Sequence, residues 1–485
     1  MTFRLHDVVR VARHGEQLVL SPEVRQRIQA SRRVLEGAIQ EGRSLYGITT
    51  GVGDLSATPV DRGDSCRLSR NILMSHACGV GAPLPAEQVR AILVAAVANW
   101  AQGLSGVRLE LVDAVLDLLN RGVTPWMPSQ GGMGSLTHMA HAGLVLMGMG
   151  RAYYAGELLP GEEALTRAGL LPVQPAEKEG LSLVNGTPAK TGLGCLAARD
   201  ALRLADWADL AGAMSLEALG GQLAAFDPRV HRARAHPGQE QVAESIRQLT
   251  RGSQVLQKAA GARVQDALSL RCIPQVHGAC RDALRSVVSV LETELNSATD
   301  NPLVFEDGSV VSACNAHGEP VALALEQLAL AVAELASISE RRTDRLVSPH
   351  LSGLPAFLVR SGGLNSGFMI AQYVAASLVA ENKVLCHPVV ADSIPTGAMQ
   401  EDHWSMGTPA ARKALAVVAN AQKVVAVELL TAAQALEFQR PLRFGQGVEA
   451  GHARVRSLVP PWEEDREFYP DLEAVIRVVE TRDPP

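Results

Sequence analysis

The chain has 485 residues, 47% hydrophobic and 20% charged, with 45 Lys and Arg against 51 Asp and Glu. The net charge of −6 is spread with both signs mixed, which excludes a nucleic-acid-binding stripe and an acidic tail. Aromatic residues make up only 4% while Ala and Leu are abundant, a balance that favours helix over sheet.

Taken in chain order, M-T-F-R-L-H-D-V-V-R has no apolar run of signal-peptide type. Seven cysteines at irregular spacings, without C-x-x-C, point to reduced thiols and a cytoplasmic protein. The first irregular polar segment is L-Y-G-I-T-T-G-V-G-D-L at 45–55. Its glycines have the wrong spacing for a phosphate loop. Tyr46 is a candidate general base, with an ordinarily packed loop tyrosine as the plain alternative. His76, in M-S-H-A-C-G, is either an acid–base group or a packed histidine. P-S-Q-G-G-M-G-S-L-T-H at 128–138 places Gly131, Gly132 and Gly134 in a tight uncharged turn before an apolar helix.

Asn185, Gln265 and Asn315 are amides in apolar or glycine-rich surroundings, each readable as a satisfied core amide. The run 193–223 reads as a buried helix. Arg271, in S-L-R-C, needs an anion: a substrate carboxylate or an internal Asp or Glu. Leu284, Val287, Val288, Leu291 and Leu295 form one helix face, which Asn301-Pro302 stops. Strand signals are few and short, at 303–305 and 309–311. The segments 320–342 and 409–438 read as buried helices, and 361–380 as a buried helix of a soluble protein rather than a membrane span. Glu401, Asp402 and His403 adjoin, but no HEXXH, zinc ligand set, Walker loop or Rossmann fingerprint occurs, so no metal is expected. The whole is an all-α protein: a smaller Gly-rich part over 1–190 and a long helical bundle over 191–485.

Seven of these segments, in order, resemble the histidine/phenylalanine ammonia-lyase family over about residues 45–406. Y-G-I-T-T-G-V-G is similar to the family's YGxNTGFG, with Thr49 and Val52 as departures. L-V-N-G-T-P is similar to LxNGTQ, with Pro188 for glutamine. V-Q-D-A-L-S-L-R-C is similar to VQDxYSLRC, with Leu268 for tyrosine. C-N-A-H-G-E-P is similar to GNFHAEP, with Cys314 for glycine and Ala316 for phenylalanine. G-G-L-N-S-G-F-M-I-A-Q, E-N-K and M-Q-E-D-H also match. The resemblance implies a helical homotetramer with shared active sites, acting on a small molecule; the charge pattern and composition already speak against a nucleic-acid or membrane partner. It implies Tyr46 as base, Arg271 on the carboxylate with Asn185 and Asn315, Gln265 in support, and Glu401 with His76 on the ring. A carboxylate at Glu401 implies a histidine-like substrate, because phenylalanine and tyrosine lyases usually carry an amide there.

The family turn reads roughly G-x-G-A-S-G-D-L-A-P-L-A-H, and its Ala-Ser-Gly cyclises to an electrophilic methylidene-imidazolone. Here Gly134 is followed directly by S-L-T-H-M-A-H, a gap of three residues, with Ser135 in place of the aspartate. Either the chain lacks the electrophile, or three residues became one modified group left out of the sequence as written. The unbroken numbering and the lost aspartate favour a true absence. An electrophile-free lyase suits a quaternary amine, which has no lone pair to attack the group. The expectation is therefore an enzyme without a prosthetic group that releases trimethylamine from ergothioneine and leaves thiourocanate. An ordinary histidine ammonia-lyase and a catalytically silent paralogue are the alternatives.

Overall fold

The computed structural model describes residues 2–485. Helix makes up 62% and strand 6%, the all-helical class expected from the composition. The chain divides into two compact units. One comprises Met1–Arg199, Val287–Glu326 and Pro388–Arg412, and the other Asp200–Ser286, Gln327–His387 and Lys413–Pro485.

The apolar periodicities become helices. Leu284, Val287, Leu291 and Leu295 are buried on the helix Ile273–Leu295, each worth roughly 1.5–3 kcal/mol against exposure. The other long helices are Pro188–Ala218, Glu319–Val347 and Gly407–Glu437. Glu319–Val347 and Gly407–Glu437 are long and apolar enough to cross a membrane, yet most of each apolar window is buried within the protein. Two readings change. Leu323 and Leu330 leave one face of Glu319–Val347 exposed. The segment 361–380 becomes helical only from Met369, because Gly362, Gly363 and Gly367 hold the preceding residues in turns; Gly363 and Gly367 have positive φ. Its helix, Met369–Leu385, buries only Ala371, Ala375 and Asn382 and exposes Ile370, Tyr373, Val374 and Val384.

The strands are short and all belong to the first unit. Val80–Pro83 pairs antiparallel with Pro128–Gln130, Val80 opposite Gln130. Arg151–Tyr154 lies between Thr124–Pro125 and Glu157–Pro160. The two runs near 303 and 310 form a hairpin, with Leu303 opposite Val311 and Val304 opposite Val310. This hairpin helps to position the site. Val304 joins Leu35, Ala38, Ile39, Leu45 and Ile48 in one apolar cluster, which anchors both ends of the Tyr46 turn.

Candidate active site

The first unit encloses a cavity of about 1190 Å³, lined by Tyr46, His76, Asn185 and Glu401 among others. Segments far apart in sequence thus bring four of the seven predicted residues to one space. Each is held by identifiable contacts.

Tyr46 sits between the buried Leu45 and Ile48. Thr49, where the family has asparagine, closes the turn: its Oγ1 accepts from Leu45 N at 2.8 Å and donates to Arg43 O at 2.9 Å. Gly47, at φ +64°, packs so closely that a Cβ would stand 2.5 Å from Leu181 Cδ2. The chain then folds back, and Gly53 N donates to the Tyr46 hydroxyl at 2.9 Å. The Glu401 carboxylate lies against the same glycine, 3.4 Å from where a Cβ on Gly53 would be.

Glu401 belongs to a constrained loop. Thr396 and Glu401 pair as an isolated antiparallel bridge, and Ala398, Met399 and Met406 all have positive φ. Such backbone is unfavourable for residues with a Cβ and persists only where the surroundings enforce it. Trp404 Nε1 donates to Thr396 Oγ1 at 2.7 Å, bracing the loop. His76 ends the helix Ser65–His76, with its Nδ1 3.0 Å from Ser75 Oγ. Burial pushes its pKa below the usual histidine value, so the ring is neutral at pH 7.

Asn185 caps the end of the helix Glu179–Val184. Its Nδ2 donates to Asn301 O at 2.9 Å and Asp300 Oδ1 at 3.3 Å. Behind it, Asp300 Oδ2 accepts from Lys178 Nζ at 2.7 Å and Ser182 Oγ at 2.8 Å, with Lys178 and Asp300 both fully buried. Sequence reasoning missed Lys178 and Asp300. Their only signal was a charge of each sign beside a glycine-rich or proline-containing turn, and they lie 122 residues apart.

Three predicted residues do not line this cavity. Asn315 is exposed and donates to Ala298 O at 3.1 Å, although its neighbours Cys314 and Ala316 do line it. Gln265 and Arg271 belong to the second unit. Gln265 is exposed, and Arg271 is half-buried with its Nε lacking a hydrogen-bond partner. Among the described residues no carboxylate pairs with Arg271, so its charge remains available for an anion. Asp266 beside it is structural, accepting from Gln222 N at 2.6 Å.

The Gly-rich turn supplies Gly134, Ser135 and Leu136 to the cavity wall. The model for aromatic amino acid lyases matches residues 3–457. The chain belongs to the aromatic amino acid lyase family. It is a carbon–nitrogen lyase. A histidine ammonia-lyase from Symbiobacterium thermophilum is 52% identical over 98% of this chain and 94% of its own length. The crystal structure of histidine ammonia-lyase from Trypanosoma cruzi superposes with a TM-score of 0.93 at 43% identity, covering 99% of this chain and 92% of that one. Ergothionase from Treponema denticola superposes equally well, at 0.93, but at 28% identity over 99% of this chain and 97% of its own.

These findings correct two expectations. The ergothioneine-cleaving reading gives way, since the fold is common to both enzymes while the sequence stands much nearer to the histidine ammonia-lyases. The expectation that no prosthetic group is used falls with it, because histidine ammonia-lyases carry a methylidene-imidazolone formed from Ala-Ser-Gly.

The residues flanking the gap fit such a group. Gly134 and Ser135 border the cavity that also holds Tyr46 and Asn185. The Gly134 carbonyl accepts from Thr408 Oγ1, and Ser135 Oγ accepts from Ala189 N at 3.0 Å, so both flanks are tied down. Just beyond, Thr137 Oγ1, both ring nitrogens of His138 and His141 Nε2 are buried without hydrogen-bond partners. Burial pushes His138 down to about 4, which keeps it neutral. Orphaned polar atoms are expensive in a native interior, and four together mark a place where polar neighbours belong.

Proposed function

We propose that the protein is a histidine ammonia-lyase that converts L-histidine to urocanate and ammonia. The observation that carries this is the placement of Glu401 against Gly53, the residue whose N–H holds the Tyr46 hydroxyl. A carboxylate suited to an imidazole N–H thereby adjoins a tyrosine suited to take the proton from the side-chain carbon. The half-identical relatives named histidine ammonia-lyase support the same substrate.

In this reading Tyr46 is the general base, and the Gly53 N–H fixes the oxygen that receives the β-proton. Glu401 accepts from the substrate ring, and neutral His76 adds a second polar contact. Asn185, held by Asp300 and Asn301, orients the amino-acid end. The methylidene-imidazolone would be held between Gly134 and Ser135, where it supplies an electrophile for the substrate amine. Arg271 binds the substrate carboxylate with Gln265 in support, while Asn315 holds the turn that leads to Ala316.

Because Gln265 and Arg271 do not line the cavity of this chain, the reading includes a homotetramer in which another copy delivers them. Two exposed apolar faces support assembly: Leu323 and Leu330, and Ile370, Tyr373, Val374 and Val384. Faces of that kind are usually interfaces. A cytoplasmic location belongs to the same proposal, supported by seven cysteines at irregular spacings without C-x-x-C.

The test is turnover of purified enzyme on L-histidine, with ultraviolet absorbance following urocanate and an ammonia assay in parallel. Both products are expected in equal amounts, and no acrylate from histidine overturns the proposal. Intact mass tests the prosthetic group separately. The protein should exceed the mass of the written chain by Ala-Ser-Gly less two waters.

A further inference from the structure

His317 and His403 line the same cavity, and with Glu319 beside them three metal-ligating side chains meet that the proposed reaction does not use. His317 and His403 stack with ring centroids 5.3 Å apart, and His317 Nε2 lies 3.2 Å from His403 Nδ1. Glu319, the first residue of the helix Glu319–Val347, brings a carboxylate oxygen to within 4.8 Å of a ring nitrogen of each histidine. Its Oε2 is buried and has no hydrogen-bond partner.

We propose that His317, Glu319 and His403 form a binding site for a zinc-class divalent cation. Two imidazoles and a carboxylate are a donor set that such ions favour. Ligand atoms about 2.0–2.2 Å from a tetrahedral zinc ion stand roughly 3.3–3.5 Å apart. The two histidine nitrogens are already near that spacing, and rotation of the Glu319 side chain brings in the third ligand. When the ion enters it replaces the hydrogen bond between the rings, and the proton in that bond shifts to the other nitrogen of its own ring, so both imidazoles bind as neutral donors. The competing cation is Lys190, which couples electrostatically to Glu319. His317 and His403 both line the cavity, which leaves the fourth position of the ion to solvent or a small ligand. No zinc motif announced the site because its ligands come from two segments, with only the H-x-E of 317–319 local.

The experiment is a Co²⁺ titration of the full-length untagged protein at pH 8, read by the visible absorption of cobalt bound to nitrogen and oxygen ligands. One Co²⁺ per chain is expected, displaced by Zn²⁺. His403→Ala and Glu319→Gln, each shown folded by circular dichroism, should weaken binding by more than about tenfold. His350→Ala, at an exposed histidine elsewhere, should leave it unchanged. Absence of the band, or equal binding by wild type and both site variants, overturns the proposal. The readout does not depend on turnover, so it stands or falls apart from the assigned substrate.

Discussion

Two buried ionic networks invite comparison, one in each unit. In the second unit Arg342 and Glu428 are fully buried and meet through two hydrogen bonds, of 2.5 and 2.8 Å. Ser215 and Ser339 each donate to the same carboxylate at 2.6 Å. His277 then links Arg342 to Asp209, which Arg281 also contacts. Apart from Arg281 Nε, which is buried without a partner, the charged groups named here are paired inside the unit, and no member lines the cavity. In the first unit Lys178, Asp300 and Ser182 are equally buried, but the network continues to Asn185, which does line it. Similar chemistry therefore serves two ends. A network closed on itself fixes helices, whereas one with a terminal amide at a cavity fixes a functional group.

The comparison yields a graded set of expectations. On the cavity side, Tyr46→Phe should lower kcat by about 10²–10⁴-fold with little change in KM; full retained activity removes the base assignment. In the closed network, Arg342→Met should cost roughly 3–5 kcal/mol in denaturant unfolding, because Glu428 is left charged and buried. The double change Arg342→Met with Glu428→Met should recover much of that loss. If the single and double variants are equally unstable, the ion pair is not what the cavity-free network contributes.

Glu217 sharpens the contrast, since it is a buried carboxylate served by Ser253 and Gly445 N. Burial raises it to about 7. The folded state then holds the proton more tightly than the unfolded chain, so this contribution is complete below pH 4.5 and is lost as pH rises through 7. Glu217→Gln should remove a stability decline of roughly 2–4 kcal/mol across that window. An unchanged pH profile refutes it. The smallest effect separates the two networks most directly. Ser182→Ala and Ser215→Ala should each cost about 1 kcal/mol, but only Ser182→Ala should also lower turnover at temperatures where both are folded. Equal turnover in the two variants would erase the distinction.

Much of the helical frame was legible because periodicity records which faces are buried: Leu284 to Leu295 gave one helix, and the run after Pro409 another. The exposed faces of Glu319–Val347 and Met369–Leu385 were not legible, since an apolar residue looks the same in a sequence whether the fold buries it or leaves it exposed. Tyr46, His76, Asn185 and Glu401 could be found because glycine and amide interruptions stand out in a helical sequence. Lys178 and Asp300 could not, because one Lys and one Asp far apart carry no mutual signal until the fold joins them. The gap after Gly134 misled because the family's group is made from Ala-Ser-Gly, so three letters missing from a sequence do not by themselves say that the chemistry is missing.

Gly397 has a consequence for redesigning the pocket. A Cβ built on it would stand 1.7 Å from Glu401 Oε2, and its φ is +57°. The carboxylate that the proposed function aims at the substrate ring therefore rests in a notch made by a missing methyl group. Gly397→Ala would evict that carboxylate from its seat without touching its chemistry. Under the proposed function, selectivity is thus adjustable from a residue that contributes no functional group at all.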